Sequence, residues 1–461
     1  MNMKLSNYIC LLFFVTGTFF ISSCGKLTDV HDVSPVNQLS ENEAITTVSQ
    51  AQSVLYGAYG QVKSIEIMTY NPGLTSLRGL TMAPGTGGGT SEASYQNNEV
   101  DPEDYYLDAI YTKLYQVINN VNHIIEKAPL IITQDPRRDQ IVGEARFLRA
   151  LCHFYLLRQH GYFFEPGSKY GIVLKKKPIQ SATSEPRSNV QDSYAFIMED
   201  LNYAVANSPA FTRSIYVSSQ AAMALKAKVL LYQKMYGEAA TLAKQVIQSG
   251  KFQLETSYSQ IFIKKIVNTK EVIFQVPYDD KNDRNNKAFI FRSNFLPSAW
   301  YASFMLGDKR DTAVLTRTNG VLRNKKFNNT VFNGQSLTAD TEYFLRLDEI
   351  YLILAEAIVR SNGSLAEARD SLNVIRARVN MPATVAATRS ELLKAIREEK
   401  ILESGAESGE EWYDLVRFDR EGDLDIKTFK PGVVSVTKYV LPLPKLTVQL
   451  SNGLVEQNPG Y

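Results

Sequence analysis

Apolar residues recur at helical spacing through most of this 461-residue chain. Runs in which they return every three to four residues predict amphipathic helices, at about 40–68, 103–128, 136–160, 190–207, 218–235, 237–249, 342–361, 364–379 and 389–404. Stretches at 71–101, 161–189, 251–340 and 421–461 lack that period. Because loops of such length are uncommon unless they serve a function, we expect a mainly α fold whose long irregular loops present the binding surface. Pieces at 271–276 and 433–439 predict small β-elements within those loops.

Two stretches, 219–250 and 343–379, share one order of helix, glycine-containing turn and second helix. Small residues such as Ala227, Ala239 and Ala355 stand where two helices would approach closely. Units of about 34 residues with this order are typical of tetratricopeptide repeats. Each unit buries a face that it cannot bury alone, so such units stack. We therefore expect tetratricopeptide-like helical hairpins to form the scaffold.

The start of the chain has the features of an export signal. Lys4 precedes a mostly apolar run that ends at Ile21, and its densest part is shorter than the ~20 apolar residues that span a bilayer. Two serines and Cys24 follow, an order typical of a bacterial lipoprotein signal. We expect residues 1–23 to be cleaved, Cys24 to carry lipid, and residues 24–39 to form a tether. An ordinary secretory signal with a chance cysteine, or an uncleaved anchor, are the alternatives.

Charge and cysteine content exclude several classes of protein. Lys plus Arg number 50 and Asp plus Glu 48, which leaves a net charge of +2 and no field to hold nucleic acid. Of the three cysteines, Cys10 leaves with the signal and Cys24 carries lipid, so the mature chain has no partner for Cys152. Cys152 lies in an apolar helix, where we expect it in the core.

Motifs for metal, phosphate or nucleophilic chemistry are missing from the sequence. His153 and His160 are seven residues apart, or about 10.5 Å along a helix, which is too far to share one metal, and neither HExxH nor CxxC occurs. We expect no metal and no cofactor. The glycine-rich segment 84–90 lacks the Lys-Ser/Thr ending of a phosphate loop, so we expect a mobile surface loop. The lysines at 175–177 predict a solvated loop.

Glu356 is the one carboxylate in an unusual setting, because it lies among apolar residues in the middle of a predicted helix. It could serve as a general acid with a raised pKa. Alternatively it is a structural carboxylate that pairs with an arginine. We favour the structural interpretation, with Arg146 or Arg149 as the expected partner.

Five segments in order resemble the SusD/RagB family of outer-membrane nutrient-uptake lipoproteins. They are GEARFLRA at 143–150 with its continuation to 161, PRS at 186–188 with the helix to 201, LRLDEIY at 345–351 with AEA at 355–357, IREEK at 396–400 with WYDLVR at 412–417, and LPLP at 441–444 with QNPGY at 457–461. Each segment alone is weakly specific. Together they span nearly the whole mature chain behind a lipoprotein signal.

The resemblance implies a single SusD-like domain over residues 40–461, although the length alone suggests about three domains. It implies a lipid anchor in the outer membrane and exposure at the cell surface. It further implies a SusC-like TonB-dependent transporter as partner, to which the protein passes a captured glycan or, in some members, a peptide. The matching motifs lie on the scaffold, so they say little about the ligand.

A glycan offers hydroxyls and apolar ring faces, so we expect its site to combine aromatic side chains with Asn, Asp or Arg. Two loop groups, 71–98 and 278–301, contain this mixture and would have to converge in space. The candidates are Tyr70, Asn71, Tyr95, Asn97, Tyr278, Asp279, Arg292, Trp300 and Tyr301. Core packing is the alternative for each, and for Trp300, the strongest candidate, it would be an apolar helix face shared with Phe304. Trp412 lies in a scaffold motif, where we expect core packing.

Three classes of function remain open at this point. Capture of a glycan without turnover is the prediction that the sequence favours. A surface hydrolase acting on glycans is the alternative from the enzyme class, since paired carboxylates would suffice for it. A structural or adhesive role is the third.

Overall fold

A computed structural model describes residues 45–131, 134–179, 184–264, 269–275, 287–327, 330–332, 335–337 and 340–461. The helices are α1 Val48–Val62, α2 Asn71–Arg78, α3 Thr90–Asn97, α4 Tyr105–Ile131, α5 Arg137–His160, α6 Val190–Asn207, α7 Ser219–Tyr232, α8 Tyr236–Gln248, α9 Ser259–Lys264, α10 Lys287–Ser293, α11 Ala299–Phe304, α12 Asp311–Val314, α13 Leu347–Arg360, α14 Leu365–Arg378, α15 Arg389–Ser404, α16 Glu410–Arg420 and α17 Lys445–Gln449. The strands are β1 Met82–Pro84, β2 Val272–Gln275, β3 Phe295–Pro297, β4 Leu315–Thr318, β5 Val321–Asn324, β6 Thr330–Phe332, β7 Gln335–Leu337 and β8 Tyr343–Arg346. A π-helical turn, Glu66–Tyr70, precedes α2, and 3₁₀ turns occupy Ile426–Thr428 and Val436–Lys438.

Local sequence signals set the ends of the long helices. Thr47 caps α1, since its side chain accepts a hydrogen bond from the Gln50 N–H while the Gln50 side chain accepts one from Thr47. Thr388 caps α15 in the same way. Between α13 and α14, Asn362 adopts a left-handed conformation with φ of 62°, and the Gly363 N–H donates to the Ile358 carbonyl at 2.8 Å. This turn reverses the chain, so α14 returns along α13.

Both predicted hairpins are present, and the mainly α fold is confirmed. The first consists of α7 and α8, the second of α13 and α14, and α8 packs against α13, so the hairpins are stacked. Helices α4, α5, α6 and α7 pack against one another in chain order. Ala227, Ala239 and Ala355 are fully buried, because a small side chain lets neighbouring helix axes approach.

The β-elements are four antiparallel two-stranded pairs, β1–β3, β2–β8, β4–β5 and β6–β7. The strand predicted at 271–276 is β2. The strand predicted at 433–439 is wrong, because Ser435 accepts a hydrogen bond from the Thr437 N–H and starts a 3₁₀ turn there. The prediction of an irregular loop at 71–101 is also wrong, since this segment contains α2, β1 and α3.

Residues Thr47–Tyr461 form one compact unit. The predicted signal, Cys24 and the tether lie outside the described residues. No helix in the described ranges is both long and apolar enough to cross a bilayer.

Candidate functional site

The two predicted loop groups meet in a short sheet. Strands β1 and β3 pair antiparallel, with Met82 opposite Pro297 and Pro84 opposite Phe295. Beyond the end of β1, the Gly85 N–H donates to the Asn294 carbonyl and the Gly87 N–H to the Ser293 carbonyl, both at 2.9 Å. The free surface loop predicted at 84–90 is therefore a turn that main-chain hydrogen bonds fix against the second segment.

A buried carboxylate joins the same two segments through side chains. Glu92, in the first turn of α3, accepts a hydrogen bond from the Gly89 N–H at 2.7 Å and another from the Asn294 side-chain amide at 2.9 Å. The same Asn294 amide donates to the Gly87 carbonyl at 3.1 Å. Glu92 and Asn294 thereby hold the ends of α3 and β3 in a fixed relation.

Three tyrosines from two elements, the π-helical turn and the start of α4, surround this junction. We call them the tyrosine cluster: Tyr70, Tyr105 and Tyr106. The Tyr70 and Tyr106 rings lie 4.6 Å apart at 44°, and Tyr105 packs edge-on against Tyr106 at 5.7 Å. The Tyr106 hydroxyl donates to Glu92 Oε1 at 3.4 Å. Tyr105 is 72% exposed, so the cluster presents an aromatic face to solvent next to a fixed carboxylate and amide.

The Tyr70 and Tyr106 hydroxyls stay protonated at ordinary pH. Partial burial, with the nearby Glu92 carboxylate adding to it, raises the pKa of Tyr106 to about 12. Burial, and then the neighbouring Tyr105, also raises the pKa of Tyr70. Tyr70 and Tyr106 are therefore neutral. The Tyr106 proton is donated to Glu92, while the Tyr70 hydroxyl can donate to a ligand whose apolar face stacks on the rings.

Trp300 is half-buried, so it is neither a full core residue nor free on the surface. Its ring stacks on Phe304 at 5.0 Å and 11°, four residues later in α11. Ser298 starts this helix by accepting a hydrogen bond from the Tyr301 N–H at 2.9 Å. The Trp300–Phe304 pair follows the end of β3 that is away from Asn294, and β3 itself is about 10 Å long. Trp300 therefore stays a candidate for the predicted binding surface.

Three of the predicted ligand residues are buried, which corrects their assignment to a binding surface. Asn71, at the start of α2, accepts a hydrogen bond from the Gln159 side chain. Tyr301 is fully buried, and its hydroxyl donates to the Gly405 carbonyl at 3.2 Å. Tyr95 is 1% exposed on the inner side of α3. All three lie on helices where the sequence pattern predicts loops, and their side chains occupy the core face.

The remaining candidates have different positions. Asn97 is exposed at the end of α3, and Arg292 is exposed on α10, where its Nε donates to the Ala288 carbonyl at 3.2 Å. Tyr278 and Asp279 lie outside the described residues.

Sequence reasoning missed Glu92, Asn294, Tyr105 and Tyr106. The two tyrosines lie at the start of the amphipathic helix predicted at about 103–128. Adjacent residues on a helix point about 100° apart, so Tyr105 and Tyr106 cannot both follow one narrow apolar stripe. The adjacent pair Tyr105 and Tyr106 was therefore the available sequence signal that at least one tyrosine lies off the buried face of the helix. Glu92 and Asn294 gave none, because their importance arises only when two distant segments meet.

The candidates for metal or redox chemistry are core residues. Burial lowers the pKa of His153 and of His160 to about 3, and each ring nitrogen Nδ1 lies against a main-chain carbonyl. Over the described ranges, no group of His, Cys, Asp or Glu is arranged to hold a metal ion. Cys152 is buried, as predicted. Trp412 is also buried, as predicted, with the Arg78 guanidinium 4.6 Å above its ring.

Glu356 is a structural carboxylate, but its partners are not the predicted ones. It is fully buried and pairs with Arg417 at 2.8 Å, with Arg360 at 2.8 Å and with Lys400. Burial alone would raise its pKa, yet the three cations hold the pKa well below the usual value. The expected partner Arg149 pairs with Asp200 instead, at 2.7 Å. The depressed pKa argues against a general acid at this position.

Fold and site together define a stacked-helix protein with an aromatic surface cluster fixed by convergent segments. Two family models match the chain: one described as "SusD family" over residues 302–461, the other as "Starch-binding associating with outer membrane" over residues 32–231. The chain belongs to the SusD/RagB family. This agrees with the resemblance seen in the sequence.

Relatives and solved structures agree with that assignment. The chain is 24% identical to SusD-like protein P2 of Formosa agariphila, over 93% of this chain and 95% of the relative. A solved "Laminarin binding SusD-like protein" is 20% identical, with a TM-score of 0.76 over 90% of this chain and all of the other. The structure of a putative sugar binding protein from Bacteroides vulgatus is 21% identical, with a TM-score of 0.77 over 91% of this chain and 99% of the other. These likenesses show a common fold.

Proposed function

We propose that this protein is a cell-surface lipoprotein that captures an oligosaccharide or polysaccharide and delivers it to a SusC-like TonB-dependent transporter in the outer membrane. The observation that carries the proposal is the tyrosine cluster, with its exposed ring of Tyr105 beside the hydrogen-bonded pair Glu92 and Asn294. The family description as starch-binding and associated with the outer membrane supports it. The fold that the chain shares with a laminarin-binding SusD-like protein supports it as well.

The chemistry of the cluster suits a sugar. One face of a pyranose ring is lined by C–H groups and packs on an aromatic ring, while its edge carries hydroxyls that need both donors and acceptors. The Tyr70 hydroxyl can donate, and the Tyr106 hydroxyl oxygen, whose proton is donated to the buried Glu92, can accept. Since Glu92 and Asn294 are already fixed by main-chain contacts, little side-chain entropy is lost when a ligand binds.

Calorimetry on the chain that begins after Cys24, titrated with laminarin, amylopectin, galactomannan and inulin, tests capture directly. Saturable binding of at least one glycan without its breakdown supports the proposal. Turnover of the bound glycan would favour the alternative, a surface hydrolase, and lack of binding throughout would favour a structural or adhesive role.

Replacing Tyr106 by Ala should weaken glycan binding at least about tenfold, because the substitution removes the central ring of the cluster and the donor to Glu92. Calorimetry with the glycan that wild type binds measures the change. Tyr351→Ala is the matched control, since Tyr351 is also a half-buried helical tyrosine but lies on α13. Equal affinities for wild type and Tyr106→Ala would remove the cluster from the binding site.

Cys24→Ala should release the protein from the membrane. The serine–serine–cysteine junction that ends the apolar run predicts lipidation of Cys24, and the substitution removes the acceptor for the lipid. Several acyl chains anchor stably because each buried CH₂ contributes about 0.8 kcal/mol. Membrane fractionation of cells that produce the variant measures the release. Ser23→Ala, which keeps the cysteine, is the control. A variant that stays wholly in the membrane pellet without a co-purifying partner contradicts the lipid anchor.

Delivery to a transporter requires a stable or recurrent complex in the outer membrane. Purification of the lipidated protein from detergent-solubilised outer membranes, followed by mass spectrometry, tests it. Co-purification of a TonB-dependent transporter in stoichiometric amount supports delivery, whereas isolation of the protein alone argues for capture without a dedicated partner.

A further inference from the structure

A cleft of about 530 Å³ runs beside α4. Its walls come from the middle of α4, from the segment around Val173 and Glu185, and from the C-terminal helix α17 with the turn after it. The Tyr111 and Tyr115 rings, 4.8 Å apart, form part of the wall. The Tyr115 hydroxyl donates to the Val173 carbonyl at 2.8 Å, which fixes the wall against α4.

The lining is neutral overall and rich in unused hydrogen-bonding groups. Lys175 and Glu185 pair at 3.4 Å, so their charges compensate. Asn119 accepts from the Ile179 N–H at 2.8 Å, and its amide N–H groups remain to donate. The side chain of Gln116 is exposed, and the Gln61 Oε1 atom is buried with no hydrogen-bond partner within the described ranges. Such a lining suits an uncharged ligand with many hydroxyls.

The cleft and two members of the tyrosine cluster, Tyr105 and Tyr106, lie along the same helix, α4. Residues 105, 108, 112, 116 and 119 follow helical spacing on one face of α4, a distance of about 21 Å from the first to the last. A smaller cleft of about 440 Å³ lies between, lined by Tyr105 and Asp108 on one side and by α17 on the other. Tyr105 therefore belongs to both the tyrosine cluster and this connecting cleft.

The wall opposite α4 is held in place. The Lys445 N–H, at the start of α17, donates to the Pro102 carbonyl at 2.9 Å, just before α4 begins. The Ser184 hydroxyl donates to the Leu450 carbonyl at 3.2 Å beyond the end of α17. Both ends of the C-terminal helix are thus tied to the segments that line the other walls, so the two clefts exist before a ligand arrives.

We propose that the tyrosine cluster, the connecting cleft and the cleft at Gln116 form one groove that binds successive sugars of a neutral glycan chain. The inference rests on the proposed function and adds to it where the glycan chain lies, along α4 from the tyrosine cluster to Gln116. A phosphorylated ligand finds no free cation where Lys175 is paired with Glu185. An extended peptide pairs with an exposed strand edge, and no strand of the described residues lines the two clefts beside α4.

Chain-length dependence tests the groove. Laminarin, amylopectin, galactomannan and inulin are first compared by affinity electrophoresis, and oligosaccharides of two to eight units from the glycan that retards the protein are then titrated by calorimetry. We expect affinity to rise at least about tenfold from two to eight units. In Gln116→Trp, whose larger side chain narrows the cleft where the chain would pass, the longest oligosaccharide should bind no better than the shortest. The shortest should bind Gln116→Trp and wild type equally.

Gln245→Trp is the control, because Gln245 is an exposed glutamine on a different helix, α8. It should keep the full length dependence. Equal affinity for short and long oligosaccharides in wild type, or a wild-type length dependence in Gln116→Trp, would overturn the groove and leave glycan capture standing. Failure of all four glycans to retard wild type would overturn both, as would saturable binding of a peptide library in their place.

Discussion

Glu356→Gln is expected to lower the free energy of unfolding by about 3–5 kcal/mol, because it removes the anionic partner of a buried ionic cluster. The glutamine has nearly the same shape, so the loss is one of charge. Arg417, Lys400 and Arg360 then share fewer anions: Asp414 still contacts Arg417 and Lys400, and Asp423 contacts Arg360. Urea unfolding at neutral pH, followed by circular dichroism, measures the difference.

The same cluster predicts how stability depends on pH. The folded-state pKa of Glu356 lies well below its ordinary value, so its contribution is complete above the unfolded pKa of about 4.3. The contribution is lost as the pH falls through the folded pKa. Wild type should therefore lose stability on acidification below about pH 4.5 more steeply than Glu356→Gln.

Glu367→Gln is the control for the same chemical change at the surface. Glu367 pairs with Lys244 at 2.7 Å, with both side chains about half exposed, and a pair of this kind contributes only about 0–1 kcal/mol. Affinity for the glycan should stay unchanged in Glu356→Gln. A variant as stable as wild type that no longer binds would place Glu356 in a site and end the structural interpretation.

The scaffold was predictable because its signals are local. Helical spacing, a capping threonine and a left-handed Asn362 all act within a few residues. The predicted runs match α4 to α8, α14 and α15 closely, whereas the helical run predicted at 342–361 also includes β8 before α13. The partner of Glu356 was not predictable in the same way. Arg417 is 61 residues away on α16, and periodicity says which face of a helix is buried but not which helix covers it.

The candidate site was likewise predictable only in part. Composition predicted that the segments near Asn71 and Trp300 converge, and the β1–β3 pair shows that they do. Composition could not distinguish Tyr70, which is half-buried in the cluster, from Tyr95 and Tyr301, which are buried in the core. All three are tyrosines in aromatic-rich segments. They differ in which face of a short helical segment they occupy. Such segments are too short for the helical period of apolar residues to be visible in the sequence.

Gly85→Ala should disturb the site strongly, although the substitution adds only one methyl group. A Cβ atom on Gly85 would lie 2.1 Å from the Ser293 carbonyl oxygen, which is main chain and cannot rotate away. Either the Gly85–Asn294 and Gly87–Ser293 hydrogen bonds break, or β3 moves. We expect a loss of about 1–3 kcal/mol of stability, as for other overpacked positions. Since Asn294 also holds Glu92, glycan affinity should fall about tenfold or more.

Gly57→Ala supplies the matched control, because a Cβ atom on Gly57 meets nothing within 4 Å. Gly57 is exposed in the middle of α1, where alanine is favoured over glycine by up to about 1 kcal/mol. This variant should gain stability and bind as wild type does. Urea unfolding and calorimetry on both variants separate packing from conformational freedom. If Gly85→Ala were to bind glycan with wild-type affinity, the contact of the two segments at Gly85 would not be what holds Glu92 and Asn294 in the binding arrangement, and the site would have to be sought elsewhere along α4.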